Sequence, residues 1–258
     1  MPAHHARFSL DGQVAVVTGA GGGIGHGGAV ALAEAGADVA LIGRSVGKLK
    51  ETAAAVEKTG RRALIVQADV TDETMVETAR ARIAAELGNA DILFNNAGIT
   101  SPKTLNEMTL DEWCRVLDVN LTGAFLCSRA FSKAMVARGR GRIINMGSIL
   151  SGRGMANRTA YSATKAGLAN FGAAMAFELG PHGITVNTIR AGVTKTPALM
   201  KIPEHDMIID AATRRNPTGR MTTPQDVADA IVALSGEGTG FINGETIGVD
   251  GGEFITGS

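Results

Sequence analysis

The chain has 258 residues, enough for one large domain or two small ones with a packed core. Its 25 basic and 25 acidic residues cancel, which excludes a basic field for nucleic acid and makes a small-molecule ligand the expectation. No run of about 18 apolar residues occurs, and residues 1–9 lack the apolar stretch of a signal peptide, so we expect no membrane span and a cytoplasmic location. Cys114 and Cys127 show no metal-ligand spacing, and no metal site is predicted.

Apolar segments of strand length alternate with longer helical patterns along the chain. The predicted strands are Val14–Thr18, Val39–Ile42, Leu64–Gln67, Ile92–Asn95, Arg142–Met146, Ile184–Ile189 and Thr246–Val249. These runs are apolar and β-branched almost without alternation, which is typical of parallel strands buried on both faces. Helices are predicted between them, including Thr109–Ala137, as one helix or two, and Ala160–Leu179. The alternation predicts an α/β fold, a doubly wound parallel sheet of about seven strands with helices on both faces.

No linker or low-complexity stretch divides the chain. We therefore predict a single domain over residues 10–258, preceded by a flexible arm at residues 1–9. The segment from about residue 193 to 220 is the irregular part, because it is long, interrupted by proline and rich in apolar side chains. Such a segment predicts a partly helical lid over a substrate site.

A glycine-rich segment directly follows the first predicted strand and reads Thr18-Gly-Ala-Gly-Gly-Gly-Ile-Gly25. Gly19, Gly23 and Gly25 fit a T-G-x-x-x-G-x-G pattern, with Ile24 between the last two glycines. Glycines allow the backbone to approach a pyrophosphate, and the N-terminus of the next helix favours its negative charge. A plain flexible loop is the alternative, but the strand before and the helix after favour dinucleotide binding.

The only tyrosine of the chain, Tyr161, stands four residues before Lys165. On a helix these two positions share a face, so the phenol and the ammonium are expected to meet. Because a nearby cation favours phenolate, we expect the pKa of Tyr161 to fall from about 10 toward the working pH. The same spacing alone is also typical of a solvated helix face, so the interpretation depends on the surrounding motifs.

The order of motifs from about Leu10 to Gly252 resembles that of the short-chain dehydrogenase/reductase family. Asp69 and Val70 correspond to the family's adenine-contacting pair. The segment Asn95-Asn96-Ala97-Gly98 matches the N-N-A-G motif that supports the central sheet beside the cofactor. The end of the chain, Glu245–Gly252, is similar to the family's G-x-x-I-x-V-D-G-G ending. The resemblance implies a Rossmann fold and a nicotinamide dinucleotide as cofactor.

The resemblance also implies a catalytic tetrad of Asn120, Ser148, Tyr161 and Lys165. Tyr161 would exchange a proton with the substrate oxygen, and Ser148 would donate a hydrogen bond to that oxygen. Lys165 would lower the phenol pKa and bind the nicotinamide ribose, while Asn120 would hold a water that links Lys165 to solvent. The implied reaction interconverts a ketone and a secondary alcohol. Two alternatives stay open, a cofactor-binding regulator without turnover and a reductase that acts on C=N or C=C bonds.

The choice of cofactor is indicated at the end of the second predicted strand. In NAD-using relatives an acid there accepts from the ribose 2′-OH, whereas this chain has Gly43 followed by Arg44. A guanidinium suits a 2′-phosphate, so NADP(H) is favoured. Gly22 stands where many NADP-using relatives carry a second basic residue, which keeps NAD(H) as the alternative.

A further cofactor contact is implied after the sixth strand, where Thr196 matches a family threonine that bonds the nicotinamide carboxamide. Gly192 and Val193, in the turn before it, are predicted cofactor contacts as well. The sequence departs from the family pattern here, since Arg190-Ala191 replaces a small residue and proline before Gly192. Loss of proline relaxes the φ restriction on this loop, and Arg190 either brings charge to the nicotinamide end or points to solvent.

The substrate is predicted only by class, as a small carbonyl or alcohol compound. Arg153, Arg158 and Lys195 are candidates to meet an anionic or polyhydroxylated substrate, with exposed charges at the rim of the site as the alternative. The resemblance implies a homotetramer that packs through the predicted Thr109–Ala137 and Ala160–Leu179 helices. No nucleic-acid or membrane partner is expected.

Overall fold

The computed structural model describes residues 4–197, 199–202 and 205–256. Seven strands are β1 (Val14–Thr18), β2 (Asp38–Gly43), β3 (Ala63–Gln67), β4 (Ile92–Asn95), β5 (Gly141–Met146), β6 (Ile184–Ala191) and β7 (Thr246–Val249). They form one sheet in the order β3-β2-β1-β4-β5-β6-β7, and every neighbouring pair is parallel. The predicted doubly wound sheet is confirmed, with each strand end within two residues of its predicted position.

Helices cover both faces of the sheet. They are α1 (Gly23–Glu34), α2 (Val46–Glu57), α3 (Glu73–Glu86), α4 (Leu110–Leu117), α5 (Gly123–Arg138), α6 (Thr159–Leu179), α7 (His205–Arg215) and α8 (Pro224–Ser235). One apolar cluster packs α3, α5 and α6 against the sheet, and a second packs α1, α2 and α8 against its other face. Strands β1, β4 and β5 are therefore buried on both sides, as their continuous apolar runs predicted.

The helical segment predicted at Thr109–Ala137 consists of two α-helices joined without a break. A capping box between Thr109 and Glu112 begins α4, and Gly139 ends α5 with a φ of 66°. Between the two helices lies a π-helical turn, Asp118–Thr122. Such turns insert an extra residue and are frequent at functional sites. This one contains Asn120, which is buried.

The order of strands reverses between β1 and β4, since consecutive strands run outward in both directions from this pair. In such a sheet the crevice for a ligand lies outside the carboxyl ends of the strands at this switch point. Thr18, Asn95 and Met146 end the three neighbouring strands there. The fold thus brings the glycine-rich segment, the N-N-A-G motif and the residues after β5 to one edge.

Two segments depart from regular α/β alternation. His4–Phe8, in the arm predicted to be flexible, form a 3-10 turn from which Arg7 Nη2 donates to the Glu237 carbonyl oxygen at 3.3 Å. The predicted lid at residues 193–220 is helical at Leu199–Lys201 and in α7, while its residues 198, 203 and 204 lie outside the described part. Among the residues described, no helix has the length and apolar character needed to cross a bilayer.

Candidate active site

The glycine-rich loop after β1 is held by the N-N-A-G motif after β4. Asn96 Nδ2 donates to the carbonyl oxygens of Thr18 and Gly19 at 3.0 and 3.1 Å. The backbone N–H groups of Asn96 and Ala97 both donate to Thr18 Oγ1 at 3.0 Å. A Cβ on Gly25 would lie 2.4 Å from the Gly19 oxygen, so the close approach of the two backbone segments requires glycine. The loop therefore has a fixed shape, which a merely flexible linker would lack.

This loop fits a pyrophosphate. Helix α1 begins at Gly23 with Gly22 as its N-cap, and it has neither a side-chain cap bond nor an acid in its first turn. Its first N–H groups are therefore available to an anion, which the helix dipole favours. A Cβ on Gly22 would meet nothing within 4 Å, whereas one on Gly23 would lie 3.4 Å from Thr196. Ile24 turns inward and packs against the cluster beneath α1.

The predicted adenosine end of the site lies after β2 and β3. Arg44 is 60% exposed, and its Nη1 is 3.8 Å from Asp69 Oδ2. Partial burial raises the pKa of Asp69, but hydrogen bonds from Thr71 and the charges of Arg44 and Arg115 outweigh it and hold the pKa below its usual value. Val70 is buried. Because the Arg44 pair is long and exposed, the guanidinium remains available to a phosphate.

Ser148, Tyr161 and Lys165 come together at the carboxyl end of β5. Ser148 follows that strand, and its hydroxyl acts on the Tyr161 phenol by lowering the phenol pKa. Tyr161 and Lys165 lie on successive turns of α6, with Lys165 Nζ 5.5 Å from the centre of the phenol ring. Lys165 is buried and donates to the Met146 carbonyl oxygen at 2.5 Å. The predicted sharing of a helix face thus places the ammonium beside the ring.

Asn120 connects the segment after β4 to α6. Its Oδ1 accepts from the Ile99 N–H at 2.7 Å, and its Nδ2 donates to the Ile99 carbonyl oxygen at 2.9 Å. Nδ2 also donates to Thr164 Oγ1, one residue before Lys165, at 3.1 Å. A Cβ on Gly98 would lie 3.4 Å from Asn120 Oδ1. Both amide hydrogens of Asn120 are therefore in use within the protein. Only the acceptor oxygens of Asn120 are left to hold the predicted water.

The expected fall in the pKa of Tyr161 is wrong, because its pKa is raised. Tyr161 is half-buried by surface area, yet enough protein surrounds it that burial raises the phenol pKa above its usual value, and the Ser148 hydrogen bond and the Arg158 charge offset only part of this. Burial also lowers the pKa of Lys165 to about 8. The phenol is accordingly protonated at neutral pH, the form that gives a proton away.

The loop after β6 is fixed by a residue that the sequence patterns did not identify. The Gly192 N–H donates to the Val249 carbonyl oxygen at 3.2 Å, and the Val193 N–H donates to Glu253 Oε2 at 3.0 Å. Glu253 is fully buried, and its Oε1 lies 3.5 Å from Arg215 Nη2 on α7. Glu253 stands one position after Glu245–Gly252, the segment that resembles the family's C-terminal ending. Its place next to a pair of glycines was the only feature of the sequence that could have indicated this role.

The departures around Arg190 have a structural explanation. Arg190 stacks its guanidinium on the Phe254 ring, 3.8 Å from the ring centre, and its Nε lies 3.7 Å from Asp250 Oδ2. Both alternatives considered for its charge are thereby replaced by a third, a contact with the C-terminal segment. Thr196 accepts from the Leu199 N–H at 3.3 Å, so it also begins the short turn of the predicted lid.

Groups outside the tetrad separate into exposed and buried sets. Lys195 is exposed, as a rim charge would be, but Arg158 is only 9% exposed.

In the part of the chain that the structure describes, no three His, Cys, Asp or Glu side chains are grouped to hold a metal ion. Cys127 is buried, which raises its pKa to about 12, and Cys114 is exposed.

Known proteins are similar to this chain in sequence and in fold. Residues 19–253 match a family model described as enoyl-(acyl carrier protein) reductase. The cis-4-hydroxycyclohexanecarboxylate dehydrogenase of Sinomonas cyclohexanicum is 42% identical over 93% of this chain and 96% of its own. A short-chain type dehydrogenase/reductase from Mycobacterium marinum superposes with a TM-score of 0.92 at 33% identity, covering 97% and 99% of the two chains. A gluconate 5-dehydrogenase from Burkholderia cenocepacia, solved with NADP and tartrate, gives 0.91 at 33% identity over 98% and 99%.

These similarities extend over nearly the whole chain, and the sheet order and the sequence of motifs agree with them. The family model alone covers the glycine-rich loop, the tetrad positions and the C-terminal ending. The chain belongs to the short-chain dehydrogenase/reductase family of oxidoreductases.

Proposed function

We propose that this protein is an NADP(H)-preferring oxidoreductase that interconverts a ketone and a secondary alcohol. The observation that carries the proposal is the grouping of Ser148, Tyr161 and Lys165 at the carboxyl end of β5, beside the glycine-rich loop. A hydrogen-bond donor, a proton source and a cation at one point of a dinucleotide crevice suit carbonyl reduction. Asn120 supports this group from the opposite side through Ile99 and Thr164.

The residues divide the chemistry as follows. A nicotinamide held in this crevice would supply hydride to the carbonyl carbon, or would accept it in the oxidative direction. Tyr161, which burial keeps protonated, gives its proton to the carbonyl oxygen. Ser148 donates a hydrogen bond to the same oxygen and stabilises the negative charge that develops there. Lys165, held by the Met146 carbonyl oxygen, provides a positive charge beside the phenol ring and hydrogen-bond donors for the nicotinamide ribose.

Arg44 supports the proposed preference for NADP(H). It follows β2, is 60% exposed and is only loosely paired with Asp69, so it is free to form a charge-assisted pair with a 2′-phosphate. Gly19, Gly23 and Gly25 shape the loop for the pyrophosphate, and Gly192, Val193 and Thr196 lie at the proposed nicotinamide end.

A homotetramer is the proposed assembly, and the cytoplasm remains the expected location. Between α5 and α6 lies a groove of about 400 Å³ lined by Leu121, Thr122, Phe125, Gly167, Asn170, Phe171 and Ala174. Phe125 and Phe177 on these helices are 42% and 89% exposed. Such apolar surface favours contact between copies of the chain. Sedimentation that shows a monomer at assay concentration would overturn the assembly.

The direct test is the consumption of NADPH and of NADH with a panel of ketones, oxo acids and keto sugars. The names of the two relatives place 4-oxocyclohexanecarboxylate and 5-ketogluconate in the panel. Tyr161→Phe should reduce turnover by at least about 100-fold while NADPH still binds, because only the transferable proton is removed. Ser151→Ala, in the same segment as Ser148, is the control and should stay active. Retained activity of Tyr161→Phe, or turnover only of C=N or C=C compounds, contradicts the proposal.

A further inference from the structure

The N-cap of helix α6 is a residue type that helix N-termini normally avoid. Its N-cap is Arg158, which makes no side-chain cap bond, and the first turn contains no acid. N-cap positions favour Ser, Thr, Asp or Asn, whose oxygens accept from the free N–H groups. A cation at this end also opposes the helix dipole, which over the 21 residues of α6 is fully developed. The arrangement concentrates positive charge at the start of the catalytic helix.

No carboxylate of the described residues neutralises this charge. Arg158 is 9% exposed, and its one hydrogen bond goes from Nη1 to the Asn157 carbonyl oxygen at 2.7 Å. All 14 ion pairs among the described residues involve other side chains. Some other partly buried arginines do have such a partner, since Arg138 lies 3.2 Å from Asp91 and Arg215 lies 3.5 Å from Glu253. A guanidinium this buried normally has an anionic partner.

The unpaired guanidinium belongs to the end of α6 that carries Tyr161. Arg158 precedes Tyr161 by three residues, less than one helical turn, and its charge acts on the phenol. The segment 149–160, which joins Ser148 to Tyr161, contains two arginines and no acid. The other arginine of this segment is Arg153, and its Nη2 is enclosed without a hydrogen-bond partner. The hydrogen bond of Arg158 uses Nη1, so Nε and Nη2 make no hydrogen bond among the described residues and are available to a ligand.

We propose that Arg158 binds the carboxylate of the substrate, so that the preferred substrates are ketones and secondary alcohols that carry a carboxylate a few bonds from the reacting carbon. The inference rests on the proposed function, because it places this carboxylate relative to a carbonyl held by Ser148 and Tyr161. A guanidinium binds a carboxylate through two parallel hydrogen bonds, and it does so most strongly where water is excluded. The α6 N-terminus adds a favourable dipole for the same anion.

The binding contributes to substrate affinity and has little part in the chemical step. The carboxylate keeps its charge throughout the reaction, so Arg158 interacts with it equally before and during hydride transfer. A substrate lacking that charge, or an enzyme lacking the guanidinium, should therefore show a raised KM and a nearly unchanged kcat. A purely structural role for Arg158 predicts something else, equal losses on charged and neutral substrates.

The test compares each oxo acid with its own carboxamide, which has the same shape without the charge. A 2-oxo, a 3-oxo and a 4-oxo carboxylate are assayed against their amides with the wild type, Arg158→Gln and Lys195→Gln. We expect the wild type to favour the best acid over its amide by at least about 100-fold in kcat/KM, and Arg158→Gln to abolish this preference through KM. Lys195→Gln, which removes an exposed cation, should behave as wild type.

Equal use of acids and amides by the wild type overturns the inference, and so does an Arg158→Gln variant that loses activity equally on both. A protein that reduces neutral ketones but neither turns over nor binds any acid also overturns it and leaves the proposed function intact. Calorimetric titration with cyclohexanecarboxylate and its amide separates the two claims. Binding of the acid that disappears in Arg158→Gln, in a protein that turns over no ketone, supports the carboxylate site and refutes the proposed reaction.

Discussion

Lys165 should destabilise the folded protein, and its removal should make the protein more stable at neutral pH. Lys165 is 3% exposed, and its ammonium has one hydrogen-bond acceptor, the Met146 carbonyl oxygen at 2.5 Å. No ion pair among the described residues includes Lys165, so burial is opposed by no carboxylate. Burial accordingly lowers its pKa from 10.5 to about 8. The folded state therefore holds this proton less tightly than the unfolded chain does.

The magnitude follows from this difference in pKa. A fall from 10.5 to about 8 corresponds to about 3 kcal/mol of lost stability at pH 7. This reduction in stability has its full size below about pH 8. It declines to zero as the pH approaches 10.5, where the unfolded chain also gives up the proton. Replacing Lys165 by methionine leaves the Met146 oxygen without its donor, which offsets about 1–2 kcal/mol. We expect Lys165→Met to be more stable than wild type by about 1–2 kcal/mol at pH 7, with most of this gain gone by pH 9.

The assay is urea unfolding of the ligand-free protein at pH 7 and pH 9, at one protein concentration because the assembly affects apparent stability. Lys50→Met, at an exposed position of α2, is the control and should differ from wild type by the same amount at both pH values. The gain in stability should accompany a loss of turnover, as for other active-site residues kept for function. A Lys165→Met protein that is less stable than wild type by an equal amount at both pH values would refute the reasoning.

Three further predictions concern the cofactor site. Gly25→Ala, whose Cβ would lie 2.4 Å from a backbone oxygen, should lower both NADPH affinity and Tm, whereas Gly22→Ala, with nothing within 4 Å, should leave fluorescence titrations and melting curves unchanged. Gly22→Arg should raise the NADPH/NADH ratio of kcat/KM by roughly tenfold, and Arg44→Asp should reverse the preference. An unchanged ratio in Arg44→Asp would show that Arg44 does not contact the phosphate. Glu253→Ala removes the acceptor of the Val193 N–H, so it should lower the stability by about 2–3 kcal/mol and raise the KM for NADPH. Glu253→Gln can still accept this hydrogen bond and should retain most of the stability and of the NADPH affinity. Equal losses in the two variants would contradict this role.

The fold was predictable because its signal is local and repeated. Each central strand is an uninterrupted apolar run, and each is followed by a segment of helical period, so the sequence itself specifies parallel strands between two helical layers. The edge strands β3 and β7 carry more exposed residues, yet their β-branched side chains still identified them. The π-helical turn at Asp118–Thr122 was missed, because one extra residue in a long helix leaves almost no trace in hydrophobic period.

The site was predictable in composition and less so in electrostatics. Spacing indicated that Tyr161 and Lys165 share a helix face, but it did not indicate that the ammonium would bond to Met146, nineteen positions earlier, on β5. Glu253 meets Val193 across 60 positions of sequence, a contact created by packing alone. The sign of a pKa shift depends on burial and on such distant partners, which explains why the expected fall for Tyr161 was wrong.

Three predicted site residues, Lys165, Arg158 and Arg44, share one property, since all are cations that no carboxylate of the described residues pairs with closely. Lys165 and Arg158 are both at least nine-tenths buried, and neither has an ion-pair partner among the described residues. Arg44, at the far end, is paired only loosely. Unneutralised buried cations lower the stability of the free protein, and an anion that binds only the folded state restores it. A phosphorylated dinucleotide and a carboxylate substrate would neutralise these groups at opposite ends, so each ligand should raise Tm and the two increments should be separately lost in Arg44→Asp and Arg158→Gln.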